Sequence, residues 1–378
     1  MNDVRGWTAA EFSPVADAVA SNLHVGEELG CSVAVCVNGE LVVDLHAGWR
    51  DREQTPYEAD ALQLVFSTTK GVTAICVAAL VDEGLLDLDA PVSRYWPEFA
   101  AEDKGRITVR QLASHQAGLP AFDTQVLPAE LALWDARVAQ LASQRPRWAP
   151  GTAHGYHAIT SGFLLGEVVR RVSGQSLGQY LSRRFVGPLG LDVYVGAPKS
   201  ILDRVVPLVD APSAIGDRGP LRTAELTPGT LTNAALSNPP TVTEVYNDSA
   251  LWECEIPAAN GITDARSLAM LYSTVVSGTR RQISPETVAA MSVAHVDGPD
   301  LVLVDQPTKF GAGFMLSAPR EPMLSRDSFG HNGRGGSLAF ADPGSGVAYA
   351  FVTNHIVNDP APDRRNTRIL AALRDCLR

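Results

Sequence analysis

Ser67 and Lys70 stand three residues apart in the stretch Val65-Phe66-Ser67-Thr68-Thr69-Lys70, at the head of an apolar run. Three residues is close to one helical turn, so both side chains fall on one face. A serine hydroxyl alone is a weak nucleophile, but an adjacent lysine whose pKa is lowered by burial can take its proton. The first turn of a helix also presents unpaired backbone N–H groups and a positive dipole end, which favour an oxyanion forming on a substrate carbonyl. The chain holds four lysines among 31 basic residues, and no other lysine follows a serine by three. The run Val72–Val81 is apolar on nearly every face until Asp82-Glu83-Gly84, so this helix is expected to cross the interior, where an unpaired ammonium is costly. The pair points to acyl transfer through a serine nucleophile and a lysine base.

Other residues carry weaker chemistry. Gly174-Gln175-Ser176-Leu177-Gly178 matches the G-x-S-x-G nucleophile elbow, which needs a strand before it and a helix after it. A helical pattern, Leu164–Val172, precedes it instead, so Gly174 reads as a helix C-cap and Ser176 as the next N-cap. His154 and His157 lack the acidic third ligand at helical spacing that a zinc site requires, and are expected to line or support a site. His115 reads as a structural hydrogen-bonder in a turn, and Phe122 just after it as an apolar wall for an acyl or alcohol group.

These residues must be held by a fold large enough to bury them. The 378 residues allow one large domain or two intimate ones, and 45% hydrophobic with 19% charged residues suits a globular enzyme. A formal charge of −11 opposes nucleic acid and anionic membranes as partners. No apolar run is long enough to span a bilayer, and the opening residues show no secretory signal. The five cysteines (Cys31, Cys36, Cys76, Cys254, Cys376) are scattered without a C-x-x-C pair, so they read as reduced core residues and a cytoplasmic location is expected. A homo-oligomer is left open.

Along the chain, a helical stretch at Phe12–Leu23 precedes an alternating β pattern at Ser32–Trp49, with Asn38-Gly39 as a hairpin turn. Helical patterns recur at Thr108–Ser114 and Ser161–Val172, while Val205–Glu255 reads as long loops over the site. From Lys309 the pattern returns to β at Phe310–Leu316, Gly336–Ala341 and Val347–Thr353, and Arg364–Leu377 reads as a terminal helix. The expected fold is α+β: an antiparallel sheet from both chain ends (residues 1–89 and 276–378) flanked by helices, with a mainly helical insertion at 90–275.

Four blocks carry a family resemblance. FSTTKGVTAICVAALVDEGLLDLDAPVSRYWPEF resembles the nucleophile region of class C β-lactamases, penicillin-binding proteins and family VIII carboxylesterases. ITVRQLASHQAGLP resembles their LLxHxSGLP segment, PGTAHGYHAITSGFLLGEVV their tyrosine motif, and FGHNGRGGSLAFADPGSG their third motif. The blocks keep the family order and span roughly residues 32–353. The resemblance implies a β-lactamase/transpeptidase-like fold, with Ser67 as acylated nucleophile, Lys70 as base, and Tyr156 sharing the proton and delivering it to the leaving group. It places His331-Asn332-Gly333 where β-lactamases carry Lys-Thr-Gly, on the strand edging the site, with His331 either facing substrate or serving as a strand-end hydrogen-bonder. The backbone N–H of Arg334, just after Gly333, is expected to join that of Ser67 in the oxyanion hole.

Two departures matter. Ala158 replaces the amide of the β-lactamase Tyr-x-Asn motif, and His331 replaces their lysine, so groups that bind a lactam are missing. The expected activity is therefore hydrolysis of a small-molecule carboxylic ester through a Ser67 acyl-enzyme, with no cofactor and no metal. A D-aminopeptidase or amidase, an acyltransferase and a weak β-lactamase share this machinery. A non-catalytic penicillin-binding-like sensor would share the fold alone, and intact Ser67, Lys70 and Tyr156 argue against it.

Overall fold

Asn38 and Gly39 both adopt positive φ (50° and 86°), the geometry of a tight hairpin turn, and join the first long strands of the molecule. The computed structural model describes residues 4–212, 220–240, 242–276, 278–358 and 362–378. Its main sheet has nine strands: β1 (Val4–Thr8), β2 (Gly30–Val37), β3 (Glu40–Gly48), β4 (Val296–Gly298), β5 (Thr308–Phe310), β6 (Met315–Leu316), β7 (Phe329–Asn332), β8 (Leu338–Asp342) and β9 (Val347–Thr353). They lie in the order β1-β3-β2-β9-β8-β7-β6-β5-β4. Every pair is antiparallel. Both chain ends thus build one sheet, joined where β9 pairs with β2.

The helices that matter are α1 (Ser13–His24), α2 (Thr69–Asp82), α3 (Thr160–Ser173), α4 (Ala265–Tyr272) and α5 (Arg364–Cys376). Strand alternation sorts them. Val33, Val35, Leu45, Tyr349 and Phe351 point to one face and meet Val15, Val19, Ile369 and Leu370 of α1 and α5. Ala34, Cys36, Ala339, Ala348 and Ala350 point to the other, where short side chains let Leu268 and Leu271 of α4 approach. Because β2 is covered on both sides, it is buried from Gly30 to Cys36 and does not alternate as expected; only β3 does so in part. α2 is buried from Thr69 to Leu80 and packs against α3 across the core.

Two expectations are corrected here. Phe310–Leu316 is not one strand but the hairpin of β5 and β6, folded back at Gly311–Phe314. Val205–Glu255 is not loop throughout: among its described residues are short helices at Pro220–Leu226, Leu231–Leu236, Thr243–Tyr246 and Ser249–Glu253. Thr230 and Asp248 cap two of them with side-chain oxygens, and helices of four to seven residues leave too little periodicity to read. Residues 213–219 and 241 of that stretch lie outside the described residues. Among the described residues no helix is long and apolar enough to cross a membrane.

Candidate active site

The Ser67 turn is strained and locked from behind. Phe66 has φ 43°, a left-handed conformation unfavourable for an aromatic residue. Its ring rests on Tyr246 at 4.9 Å, its carbonyl accepts from Thr69 Oγ1 at 2.5 Å, and Thr69 Oγ1 in turn accepts from the Gly261 N–H at 2.8 Å. The Val65 N–H donates to the Gly261 carbonyl at 2.9 Å. The consequence is selective exposure: from Ala61 to Leu80, Ser67 is the one residue that is not buried.

Behind it, Lys70 Nζ lies 3.1 Å from Ser67 Oγ, 2.7 Å from the Ala158 carbonyl and 3.0 Å from the Ala258 carbonyl. Burial holds its pKa well below the ordinary lysine range. A neutral amine has two hydrogens and one lone pair. With both hydrogens given to the two carbonyls, the lone pair is left for the Ser67 proton.

Tyr156 completes the trio. Its phenol is hydrogen-bonded to Ser67, and Lys70 Nζ sits 4.7 Å from its ring centroid. Burial raises the phenol's pKa, so it stays protonated and able to pass a proton on. Asp300, a buried carboxylate absent from the sequence expectations, fixes the segment: its Oδ1 accepts from the Tyr156 N–H at 3.0 Å and from the Val302 and Leu303 N–H groups at 2.8 Å. His115 adds a second anchor, accepting from the His157 N–H at 3.2 Å while its carbonyl takes the Gly155 N–H.

The turn after β7 is stitched to the Ser67 turn. Ser337 Oγ donates to the Val65 carbonyl at 2.9 Å and lies 3.1 Å from Thr68 Oγ1. A Cβ on Gly333 would stand 2.2 Å from both Ser337 Oγ and the Val65 carbonyl oxygen, so only glycine permits this approach. Arg334 follows Gly333 directly in the chain.

With this geometry in view, the comparisons decide the family. The beta-lactamase family model matches residues 15–374. The esterase/beta-lactamase LipL of Mycobacterium tuberculosis is 32% identical over 372 residues, 94% of this chain and 84% of its own. The chain belongs to the beta-lactamase family. The crystal structure of a family VIII carboxylesterase is similar at TM-score 0.89 and 35% identity, covering 99% of this chain and 100% of its own. EstA from Arthrobacter nitroguajacolicus Rue61a follows at TM-score 0.87 and 30% identity, covering 100% and 98%. The α+β, transpeptidase-like fold expected from the sequence is the fold of these relatives.

Three residues expected to line or support the site are buried. His331 is 1% exposed: its Nδ1 donates to the Asn332 carbonyl at 2.6 Å, and its ring lies among Tyr156 and Phe310, 6.0 and 6.3 Å away. Burial, with Lys70 close by, lowers its pKa to about 3, so it is a neutral interior group and not a substitute for the β-lactamase lysine. His157 is fully buried and satisfied, donating from Nδ1 to the Gly155 carbonyl and accepting at Nε2 from the Leu119 N–H. Phe122 is packed against Phe163 in the core, not on a site wall. Apolar and aromatic residues read alike from sequence whether they line a pocket or fill a core. His154 meets Thr308 Oγ1 at 3.0 Å, which donates to Asp300.

Glu321 was also missed. Its carboxylate accepts from Asn332 Nδ2 and opposes ionisation of Tyr156, while burial raises its own pKa to about 7. Nothing in the sequence around Ala318–Glu321 marks it. Ser176, by contrast, lies as expected, capping a short helix through the Gln179 N–H after the left-handed Gly174. Among the described residues no three His, Cys, Asp or Glu side chains converge as metal ligands.

Proposed function

We propose that this enzyme hydrolyses carboxylic esters of small molecules through an acyl-enzyme on Ser67. The observation that carries the reading is the arrangement around Lys70, whose two carbonyl acceptors leave its lone pair for the Ser67 hydroxyl. Ser67 Oγ attacks the ester carbonyl as its proton passes to Lys70. The oxyanion is met by the backbone N–H groups of Ser67 and Arg334. The tetrahedral intermediate expels the alkoxide, which takes a proton relayed from Lys70 through Tyr156. Water then attacks the acyl-enzyme by the same proton path in reverse, and no cofactor or metal takes part.

In this reading the site lies where the sheet part (residues 1–89 and 276–378) meets the inserted part (90–275), the first giving Ser67, Lys70 and Arg334 and the second Tyr156. The names of LipL and of the family VIII carboxylesterase support ester chemistry. The five free thiols support a reducing, cytoplasmic setting. The charge of −11 supports a small-molecule substrate over nucleic acid or membrane.

Ester preference over lactams follows from what surrounds the trio. A β-lactam carboxylate would find no lysine, a neutral His331 turned inward, and the Glu321 carboxylate nearby. Loss of one charge-assisted hydrogen bond, worth about 1.5–3 kcal/mol, weakens binding about ten- to a hundredfold. The kcat/KM for p-nitrophenyl butyrate is expected to exceed that for nitrocefin by about 10² or more. Equal values would mark a β-lactamase instead.

A further inference from the structure

The motif His331-Asn332-Gly333-Arg334-Gly335-Gly336 ends in two glycines that the nucleophile side of the site does not explain. Gly335 and Gly336 have φ of 86° and 117°. A Cβ on Gly336 would stand 2.1 Å from Arg365 Nη2 and 2.3 Å from Asp363 Oδ2. The space Gly336 leaves is therefore filled by the head of α5, and that beside Gly335 by Ile356. Arg365 Nη2 donates to the Gly335 carbonyl at 2.5 Å, and Asn366 Nδ2 donates to the Gly336 carbonyl at 2.7 Å. Two consecutive peptide carbonyls are thus drawn away from the site by adjacent residues of one helix. Within the turn, the Gly336 N–H donates to the Gly333 carbonyl at 3.1 Å and the Gly333 N–H to the Ser337 carbonyl at 2.7 Å.

Arg365 is itself held from all sides. It is 2% exposed and ion-paired to Glu28 at 3.1 Å and Asp363 at 2.6 Å, and it donates to the His355 carbonyl at 2.9 Å. Asn366 accepts from Tyr349 Oη at 3.0 Å. A buried arginine is expensive unless every donor is matched, and this one is matched by groups from the segment after β9, the segment before β2 and the approach to α5. Such an anchor fixes a backbone more tightly than a solvent-exposed turn fixes itself.

We propose that Arg365 and Asn366 are positioning residues for ester hydrolysis, holding the Gly333–Ser337 turn so that the Arg334 N–H is aimed at the substrate oxyanion. The proposal rests on the reading that this N–H is half of the oxyanion hole. Donors of that kind are worth their full effect only when preorganised to within a fraction of an ångström. Neither residue touches substrate, so both act on the rate through the turn.

The test compares p-nitrophenyl esters with their thionoester counterparts, whose sulfur is poorly accommodated by an oxyanion hole, in wild type, Asn366→Ala and Arg365→Lys. Active sites are counted by fluorophosphonate burst so that only folded enzyme is scored. For Asn366→Ala the expectation is a kcat lowered about tenfold, less than the 10²–10³ for loss of a whole donor, with KM within twofold and the oxo-to-thiono rate ratio lowered in step. Unchanged kcat per active site, or a lowered kcat with an unchanged ratio, overturns the positioning role. A wild-type enzyme with no oxo-to-thiono discrimination overturns the oxyanion-hole reading itself, and with it the proposal. If Arg365→Lys does not fold, Asn366→Ala alone decides.

Discussion

Ser67 and Ser176 both precede a helix, and both sit in sequences that resemble hydrolase motifs, yet their surroundings differ in every respect that bears on reactivity. Ser176 Oγ accepts from the Gln179 N–H and donates to Glu255 at 2.5 Å, so its hydrogen-bonding capacity is spent on capping a helix. The residue before Ser67 is held at positive φ, Ser67 is the one residue of a buried stretch that is not itself buried, and its partners are a lysine whose pKa burial lowers and a protonated tyrosine. Motif spacing places a serine at a helix start. What the hydroxyl bonds to, and what strain holds it outward, decides whether it caps or attacks.

The largest expected effect is on Ser67 itself. Ser67→Ala is expected to lower kcat by about 10⁴ or more, since without the nucleophile only binding and the oxyanion hole remain. Esterase activity surviving at one-tenth of wild type would erase the contrast with Ser176.

Next come the partners. Lys70→Ala and Tyr156→Phe are each expected to lower kcat by about 10²–10⁴, and the double variant to lose far less than the product of the two. Independent, multiplicative losses would break the shared proton path. The same pair sets the pH profile. Protonation consumes the Lys70 lone pair, so kcat/KM should rise about tenfold per pH unit and level off well below the ordinary lysine range. His331 and His157, lowered to about 3 and about 4, stay neutral above that and add no step near 6.5. An activity rise centred near 10.5 would contradict a depressed lysine.

Asp300→Ala should fall between the two serines. It frees the Tyr156 N–H and two others without touching the reacting atoms, and kcat is expected to drop about ten- to a hundredfold with KM little changed. A loss of stability with kcat unchanged would reduce Asp300 to a loop fastener. The smallest effect belongs to Ser176→Ala: turnover within twofold, and a stability loss of about 0.5–2 kcal/mol from the missing cap, read by thermal unfolding.

The legible part of the site was the part written in short-range sequence. Ser67 and Lys70 declare themselves within one turn, and Tyr156 within a block that resembles the family's motif. The sheet was legible where turns are local, at Asn38-Gly39, and where apolar runs are long, as in β8 and β9. What escaped depends on partners distant in sequence. Asp300 reaches Tyr156 across 144 residues and Arg365 reaches Gly335 across 30, and a lone carboxylate or arginine carries no sign of such pairing. His331 lies on the expected strand, but its burial beside Tyr156 and Phe310 was not legible, because the motif fixes its position while long-range packing fixes its ring.

The central claim is that chemistry belongs to Ser67 and not to Ser176. A fluorophosphonate probe followed by proteolysis and mass mapping tests it directly. The account predicts one adduct per chain, on the peptide carrying Ser67, lost in Ser67→Ala and retained in Ser176→Ala. An adduct on the Ser176 peptide, with activity lost in Ser176→Ala, would contradict it.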